Sequence, residues 1–240
     1  MISISGEGIV INKWDYGEAD RAVDVFMRDY GKITLGVRGV LKSRKRETAA
    51  VDVMTRSEFT LYSKNEKWIL SDFTLIDSHR EIRENPANLE IGLCVLGILN
   101  KILPAKEKKE RLYDLSEKTL GALKKTGTPR RNYLLLTYYL HSLIRTEGLQ
   151  YGTSGQGLYF SPDGAGFTKR KTGTGSAPVS EKTRMILEKL HDNKVGELLD
   201  EEGPETEHIL AALALLEKYI NYHFEIHLML KNYLIGGYND

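Results

Sequence analysis

Between Tyr30 and Arg46 the chain carries six cations, Lys32, Arg38, Lys42, Arg44, Lys45 and Arg46, and no carboxylate. Lysine and arginine gathered in this way match one chemistry above others. A polynucleotide backbone presents closely spaced negative charge with condensed counterions, and a segment that displaces those ions gains affinity without reading a base. Lys42-Ser43-Arg44-Lys45-Arg46 is too basic to pack internally, so it is expected as a surface loop after a strand that ends near Arg38. Lys169-Arg170-Lys171 forms a second, shorter basic cluster and a second candidate phosphate contact. Trp14, Tyr16, Phe26 and Tyr30 lie close in sequence to the first cluster. An aromatic ring can stack a base, although each of these rings has core packing as its plainer role.

Other constellations carry less. Asp15, Glu18 and Asp20 are dense enough to hold a divalent ion for phosphoryl chemistry, but Gly17 and Arg21 beside them suit a polar turn with an internal ion pair. His223 and His227 are four apart and would share a helix face, yet the order His-Phe-Glu-Ile-His is not that of a zinc hydrolase and no third ligand stands at a matching distance. Neither a Gly-x-x-x-x-Gly-Lys-Ser/Thr phosphate loop nor a Gly-x-Ser-x-Gly elbow occurs. The expectation is a protein that binds and does not catalyse. Cys94 is the lone cysteine, so no disulfide can form within the chain, and a cytoplasmic, nucleoid-associated location is the corresponding expectation. Apolar residues never run to about eighteen in succession, and the first residues lack the basic and apolar regions of a signal peptide, so no membrane association is expected.

The 240 residues, 41% hydrophobic and 28% charged with a net charge of +1, describe a chain able to bury a core. Charge is nonetheless polarised, because Val195 to Asp240 holds nine carboxylates against Lys218 and Lys231. Residues 1–80 read as strands. Ile2, Ile4 and Ile9 to Ile11 are β-branched, Ala22 to Met27 is apolar, and Ile33, Leu35 and Val37 alternate with Thr34, Gly36 and Arg38. Glu58 to Tyr62 and Trp68 to Leu75 complete five runs, a number that suits a small Greek-key barrel of the OB type, with an SH3-like barrel or an open sheet as alternatives. After Pro86 the period changes. Leu89, Leu93, Leu96, Leu99 and Leu103 make one helical face that Pro104 closes, Leu112 to Leu123 a second helix, and Pro129 to Glu147 a third. Residues 150–178 hold seven glycines, two prolines and the aromatics Tyr151, Tyr159, Phe160 and Phe167, as in an ordered hairpin insert. Ser180 to His191 is then a short helix, and Pro204 to Leu234 one long helix or a kinked pair. The expected class is α+β: a five-stranded OB-fold barrel (1–80), a helical domain in two parts (81–149 and 179–240), and a loop or hairpin insert (150–178).

Several segments carry a family resemblance. Gly8-Ile9-Val10-Ile11, Asp15 through Arg21, Val25 through Ile33, and the basic piece Val37-Arg38-Gly39-Val40-Leu41-Lys42-Ser43-Arg44 resemble the opening of RecO proteins. Glu58 to Tyr62 and Trp68 to Leu70 are similar to the family's later strands, and Tyr219-Ile220-Asn221-Tyr222-His223 to its Tyr-x-x-Tyr-His. The resemblance implies an OB-fold, a helical domain and a small metal-binding insert. It also implies binding of single- and double-stranded DNA, annealing of complementary strands, association with RecR and with the C-terminal tail of single-stranded DNA-binding protein, and assistance to RecA. An alternative is an interaction adaptor with only weak DNA contact. One departure stands out. Where many members carry Cys-x-x-Cys twice, this chain has Tyr151 and Ser154, then Thr168 and Lys171. A four-thiolate zinc site is therefore excluded, no cofactor is expected, and packing of Tyr151, Tyr159, Phe160 and Phe167 is expected to hold the insert.

Overall fold

The computed structural model describes residues 3–43, 47–64, 67–153, 157–164, 166–173, 175–200 and 203–234. It divides into two compact units, Met1–Leu120 and Gly121–Asp240.

In the first unit, β1 (Ser3–Tyr16), β2 (Asp20–Met27), β3 (Gly31–Val37), β4 (Arg56–Lys64) and β5 (Lys67–Asp77) form one antiparallel sheet in the order β3-β2-β1-β4-β5. The two outer strands, β3 and β5, approach each other, so the sheet curls into an OB-like barrel. Alternation sets its inside. Val23, Val25 and Met27 of β2, Ile33, Leu35 and Val37 of β3, and Phe59 and Leu61 of β4 fill one core with Val10. The ladder between β1 and β2 shifts register between Val10 and Asn12, a bulge of the kind that bends a long strand around a small barrel.

Phe26, on the other face of β2, is fully buried and meets Tyr113 edge to face at 5.4 Å. That contact belongs to a helical layer made of α1 (Arg80–Arg83), α2 (Pro86–Ile102) and the start of α3 (Glu110–Leu123). Asn85 caps α2 by accepting from the Ala87 and Asn88 amides, and Pro86 occupies its first turn, where a missing N–H costs nothing. Arg28 grips α3 through Asp114 and Glu110, each at 2.9 Å, and Arg56 pairs with Glu117. These contacts explain why the compact unit runs on to Leu120, whereas the change of period in the sequence placed a boundary near residue 80.

Gly31 is a position that only glycine fills. Its φ is +72°, and a Cβ there would lie 2.1 Å from the Glu107 carbonyl oxygen. The left-handed backbone and the main-chain overlap add, so Gly31→Ala is expected to destabilise the protein by about 2 kcal/mol, read as an earlier midpoint in urea at unchanged slope.

The second unit holds α4 (Pro129–Thr146), a three-stranded sheet of β6 (Tyr159–Ser161), β7 (Gly166–Thr168) and β8 (Ala177–Pro178), then α5 (Glu181–His191), α6 (Gly196–Leu199) and α7 (Thr206–His223). Its core forms where α7 packs against α4 and α5, through Ile209, Leu213, Leu216 and Ile220 on the apolar face of α7. Arg130 donates to the carbonyls of Leu198, Pro204 and Asp200 at 2.9, 2.9 and 3.1 Å and so pins the approach to α7. The sequence suggested one long helix or a kinked pair reaching about Leu234, but α7 stops at His223. Glu225 takes a φ of +52°, and the Asn221 side chain bonds both the amide and the carbonyl of Leu228, folding the chain back. No described helix is long and apolar enough to cross a membrane.

Candidate nucleic-acid interface

A groove of about 850 Å³ lies on the barrel, walled by the ends of β1 and β3 and by the β4–β5 hairpin. Tyr16, Tyr62 and Trp68 give it aromatic surface, Arg38 and Lys64 give it charge, and among the described residues no carboxylate lines it. Tyr16 is 42% exposed, whereas Trp68 is half-buried against the barrel core and Tyr30. Gly36, within the groove, has no side chain to fill the space beneath the Tyr16 hydroxyl. Flat rings beside cations can grip a strand by stacking and by charge together.

The cations singled out in the sequence go to different places. Arg38 is exposed at the end of β3 and lines the groove. Lys32 shares Arg38's outward face of β3 but sits six residues away, about 20 Å along the strand, and donates to the Asn100 carbonyl at 2.9 Å. Lys42 is exposed and pairs with Glu18 at 2.6 Å. Arg44, Lys45 and Arg46 lie outside the described residues. Lys169, Arg170 and Lys171 are exposed in the second unit, just after β7. Of the four early aromatics, Phe26 is core, Tyr30 is half-buried, and Trp14 and Tyr16 are exposed. Tyr62, Lys64 and Trp68 were not singled out in the sequence, because each is separated from the basic run and only strand pairing brings them to it.

Each of the early carboxylates is engaged by a neighbour. Arg21 clasps Asp15 through two nitrogens at 2.6 and 3.2 Å, a contact that holds the Asp15 carboxyl below its ordinary range. Glu18 pairs with Lys42, and Asp20 accepts from the Gly39 amide at 2.7 Å. They form the polar turn, not a shared ion site. Among the described residues, Glu205, Glu207 and His208 could reach one ion, but Glu205 is already bonded to Lys182 at 3.0 Å.

The insert positions Tyr151, Ser154, Thr168 and Lys171 differ in chemistry from metal ligands. Tyr151 is 2% exposed, and burial pushes its phenol well above the usual tyrosine range, so it offers no anionic oxygen. Thr168 donates its hydroxyl to the Arg170 carbonyl at 2.9 Å, Lys171 presents an ammonium, and Ser154 lies outside the described residues. This donor set does not fit a zinc ion, which takes thiolate, imidazole or carboxylate. Tyr151 instead meets Phe160 at 5.5 Å and Tyr219 at 5.9 Å, both edge to face, and Phe160 meets Phe167 at 5.5 Å. The Arg184 guanidinium covers the Phe167 ring at 5.1 Å. Tyr159 is only half-buried.

Residues 1–79 match the family model described as Recombination protein O N terminal. Those residues are similar to the N-terminal region of RecO proteins. The matched segment ends just past β5, so it coincides with the OB-like sheet that carries the groove. Among curated proteins, the chain is 32% identical over 114 residues to the DNA repair protein RecO of Halalkalibacterium halodurans, covering 48% of this chain and 45% of that protein. It is 26% identical over 123 residues to DNA repair protein RecO of a Thermoanaerobacter species (51% and 50% covered), and 30% identical over 114 residues to that of Bacillus cytotoxicus (48% and 46%). The chain spans about half the length of the curated relatives it matches.

Proposed function

We propose that this chain is a DNA repair and recombination mediator that binds DNA at the barrel groove, brings complementary strands together, and makes or breaks no covalent bond. The observation that supports this reading most directly is the groove itself: Tyr16, Tyr62 and Trp68 beside Arg38 and Lys64, on the sheet that matches the RecO N-terminal family. The names of its relatives give DNA repair as the setting. Single- and double-stranded DNA would both be held through their phosphates. Lys and Arg would screen repulsion between two strands so that complementary bases meet. Arg38 lies at the groove, and Lys42, Arg44, Lys45 and Arg46 follow it closely in sequence, so the basic arm would extend the cationic path. RecR, the tail of single-stranded DNA-binding protein, and RecA are the partners this role calls for, in a cytoplasmic setting. The insert would need no zinc.

Binding of a labelled thymidine oligonucleotide across a salt series tests the charge mechanism. Log affinity should fall with log salt by about 0.7 for each phosphate neutralised. Reversing Lys42, Arg44, Lys45 and Arg46 to glutamate should reduce that slope by about 3. An affinity indifferent to salt, or a slope that survives the reversal, removes the arm from the site. The adaptor reading keeps one observation in its favour, an apolar rim at Leu158 and Met185, which are 69% and 36% exposed. It predicts partner binding that persists when DNA binding is lost.

A further inference from the structure

We infer that the second unit carries its own seat for a single polynucleotide strand, in the groove between the β6–β8 insert and α7; the inference rests on the DNA-binding reading above. This groove measures about 670 Å³. One wall is helical. Lys218 and Tyr222 are four residues apart on α7, so they share a face, and both are exposed, Tyr222 by 55%. The opposite wall is the insert, at Pro162, Gly173, Gly175 and Ser176. Gly175 places no side chain in the way of a phosphate or a base, whereas the room left by Gly173 is taken by the Asp163 carboxylate.

The walls are tied together. His223 Nε2 donates to the Pro162 carbonyl at 3.1 Å, joining α7 to the insert. The same imidazole lies 4.2 Å from the Tyr219 ring and meets Tyr222 nearly edge-on at 5.1 Å and 85°. Tyr222 is thus braced from one side and open on its face. An aromatic ring held rigid but uncovered is what a stacked base requires, because little side-chain freedom remains to be lost on binding.

Charge identifies the occupant. Lys169, Arg170 and Lys171 lead straight into the groove wall, since Lys171 stands two residues before Gly173, at most about 7 Å along the chain. Lys218 lines the groove, the basic run leads up to its wall along the chain, and among the described lining residues Asp163 is the one carboxylate. That carboxylate is exposed and lies against Gly173, but it is already bonded within the insert. It accepts from the Ser161 hydroxyl and from the Gly164 amide at 2.9 Å, and those bonds hold it below the ordinary carboxylate range. A phosphate chain entering past Lys169–Lys171 and continuing to Lys218, with a base on Tyr222, uses every feature of this groove. The consequence is two seats on one chain, and a protein that holds two strands can present them to each other.

The test uses the full chain and a fluorescent thymidine oligomer of about fifteen nucleotides. Wild type should bind two oligomers per chain. A barrel variant, Lys64→Glu with Trp68→Ala, should keep one. Lys218→Glu with Tyr222→Ala in the wild-type background should also leave one, and combining all four changes should weaken the remaining binding by at least about tenfold. Tyr222→Phe should restore it, since the ring and not the hydroxyl stacks. All of these exposed α7 changes should leave the thermal transition in place. Wild type saturating at one oligomer, with the barrel variant binding none, overturns this inference and leaves the barrel reading standing. Binding lost instead on changing Lys218 and Tyr222 alone would overturn the barrel reading and support this one. Polyglutamate of matched length binding the barrel variant more tightly than the oligomer would assign the groove to an acidic peptide and overturn the strand seat.

Discussion

Replacing Tyr62 and Trp68 together by alanine is expected to lower the affinity of the barrel groove for single-stranded DNA by about a hundredfold to a thousandfold while leaving its salt dependence unchanged. Stacking a base on an aromatic ring contributes about 1–3 kcal/mol per base, and two rings of the barrel groove are removed at once. The slope of log affinity against log salt counts displaced counterions, and neither ring displaces one. Arg38→Ala and Lys64→Ala should act in the opposite way, each reducing the slope by about 0.7. Trp68 also packs against the barrel core, so Trp68→Phe is the companion variant: it keeps a ring in place and should recover most of the affinity. Trp68 fluorescence, measured with Trp14 changed to phenylalanine, should quench on adding the oligonucleotide. If the double alanine variant binds like wild type while remaining folded by circular dichroism, DNA does not use this groove.

The groove illustrates which properties a sequence makes visible. Strands β2 and β3 could be read directly, because Ala22 to Met27 is an apolar stretch and Ile33, Leu35 and Val37 alternate within a single element. Helix α2 could be bounded from Asn85-Pro86 and Pro104, whose effects are local. The basic run was equally visible, since it is contiguous. Contiguity misled in one respect: Lys32 belongs to the run but lies a full strand length from Arg38 and bonds a carbonyl. Tyr16, Tyr62, Lys64 and Trp68 posed the reverse problem. They meet because β1 pairs with β4 and because β3 approaches β5, contacts between segments thirty or more residues apart. No periodicity records such closure. The end of α7 was hidden for a related reason. Asn221 folds the chain back by bonding the Leu228 backbone, and nothing in the apolar pattern of Ile209 to Ile220 announces that bond.

The aromatic insert leads to the last prediction, in which pH reports on packing. His141 is 2% exposed, and its Nδ1 is hydrogen-bonded to the Tyr151 hydroxyl at 2.7 Å. The Tyr151 hydroxyl donates in turn to the Leu187 carbonyl at 3.4 Å, so the imidazole serves as the donor to the phenol. His141 Nε2 is then a bare, buried nitrogen with no partner among the described residues. A proton placed there would be buried without an acceptor. Desolvation, aided by the nearby positive charges of Arg145 and His191, accordingly lowers this histidine from 6.5 to about 4. The unfolded chain takes up the proton below pH 6.5 and the folded chain resists it, so stability is intact above that pH and declines as pH falls toward 4. The loss over this window should reach about 3 kcal/mol. Carboxylates held low by arginine, Asp15 and Asp114, lose their contribution only below their ordinary value of 3.8, which separates the two effects. Denaturant midpoints between pH 7 and 4 should therefore fall in wild type and stay nearly level in His141→Gln. Tyr151→Ala should cost about 3–5 kcal/mol at neutral pH, because it removes the ring that Phe160, Tyr219 and His141 all meet. A chelator should leave the transition where it is. A chelator-sensitive transition, or a midpoint that holds steady from pH 7 to 4 in wild type, would mean that something other than this aromatic and imidazole cluster holds the insert.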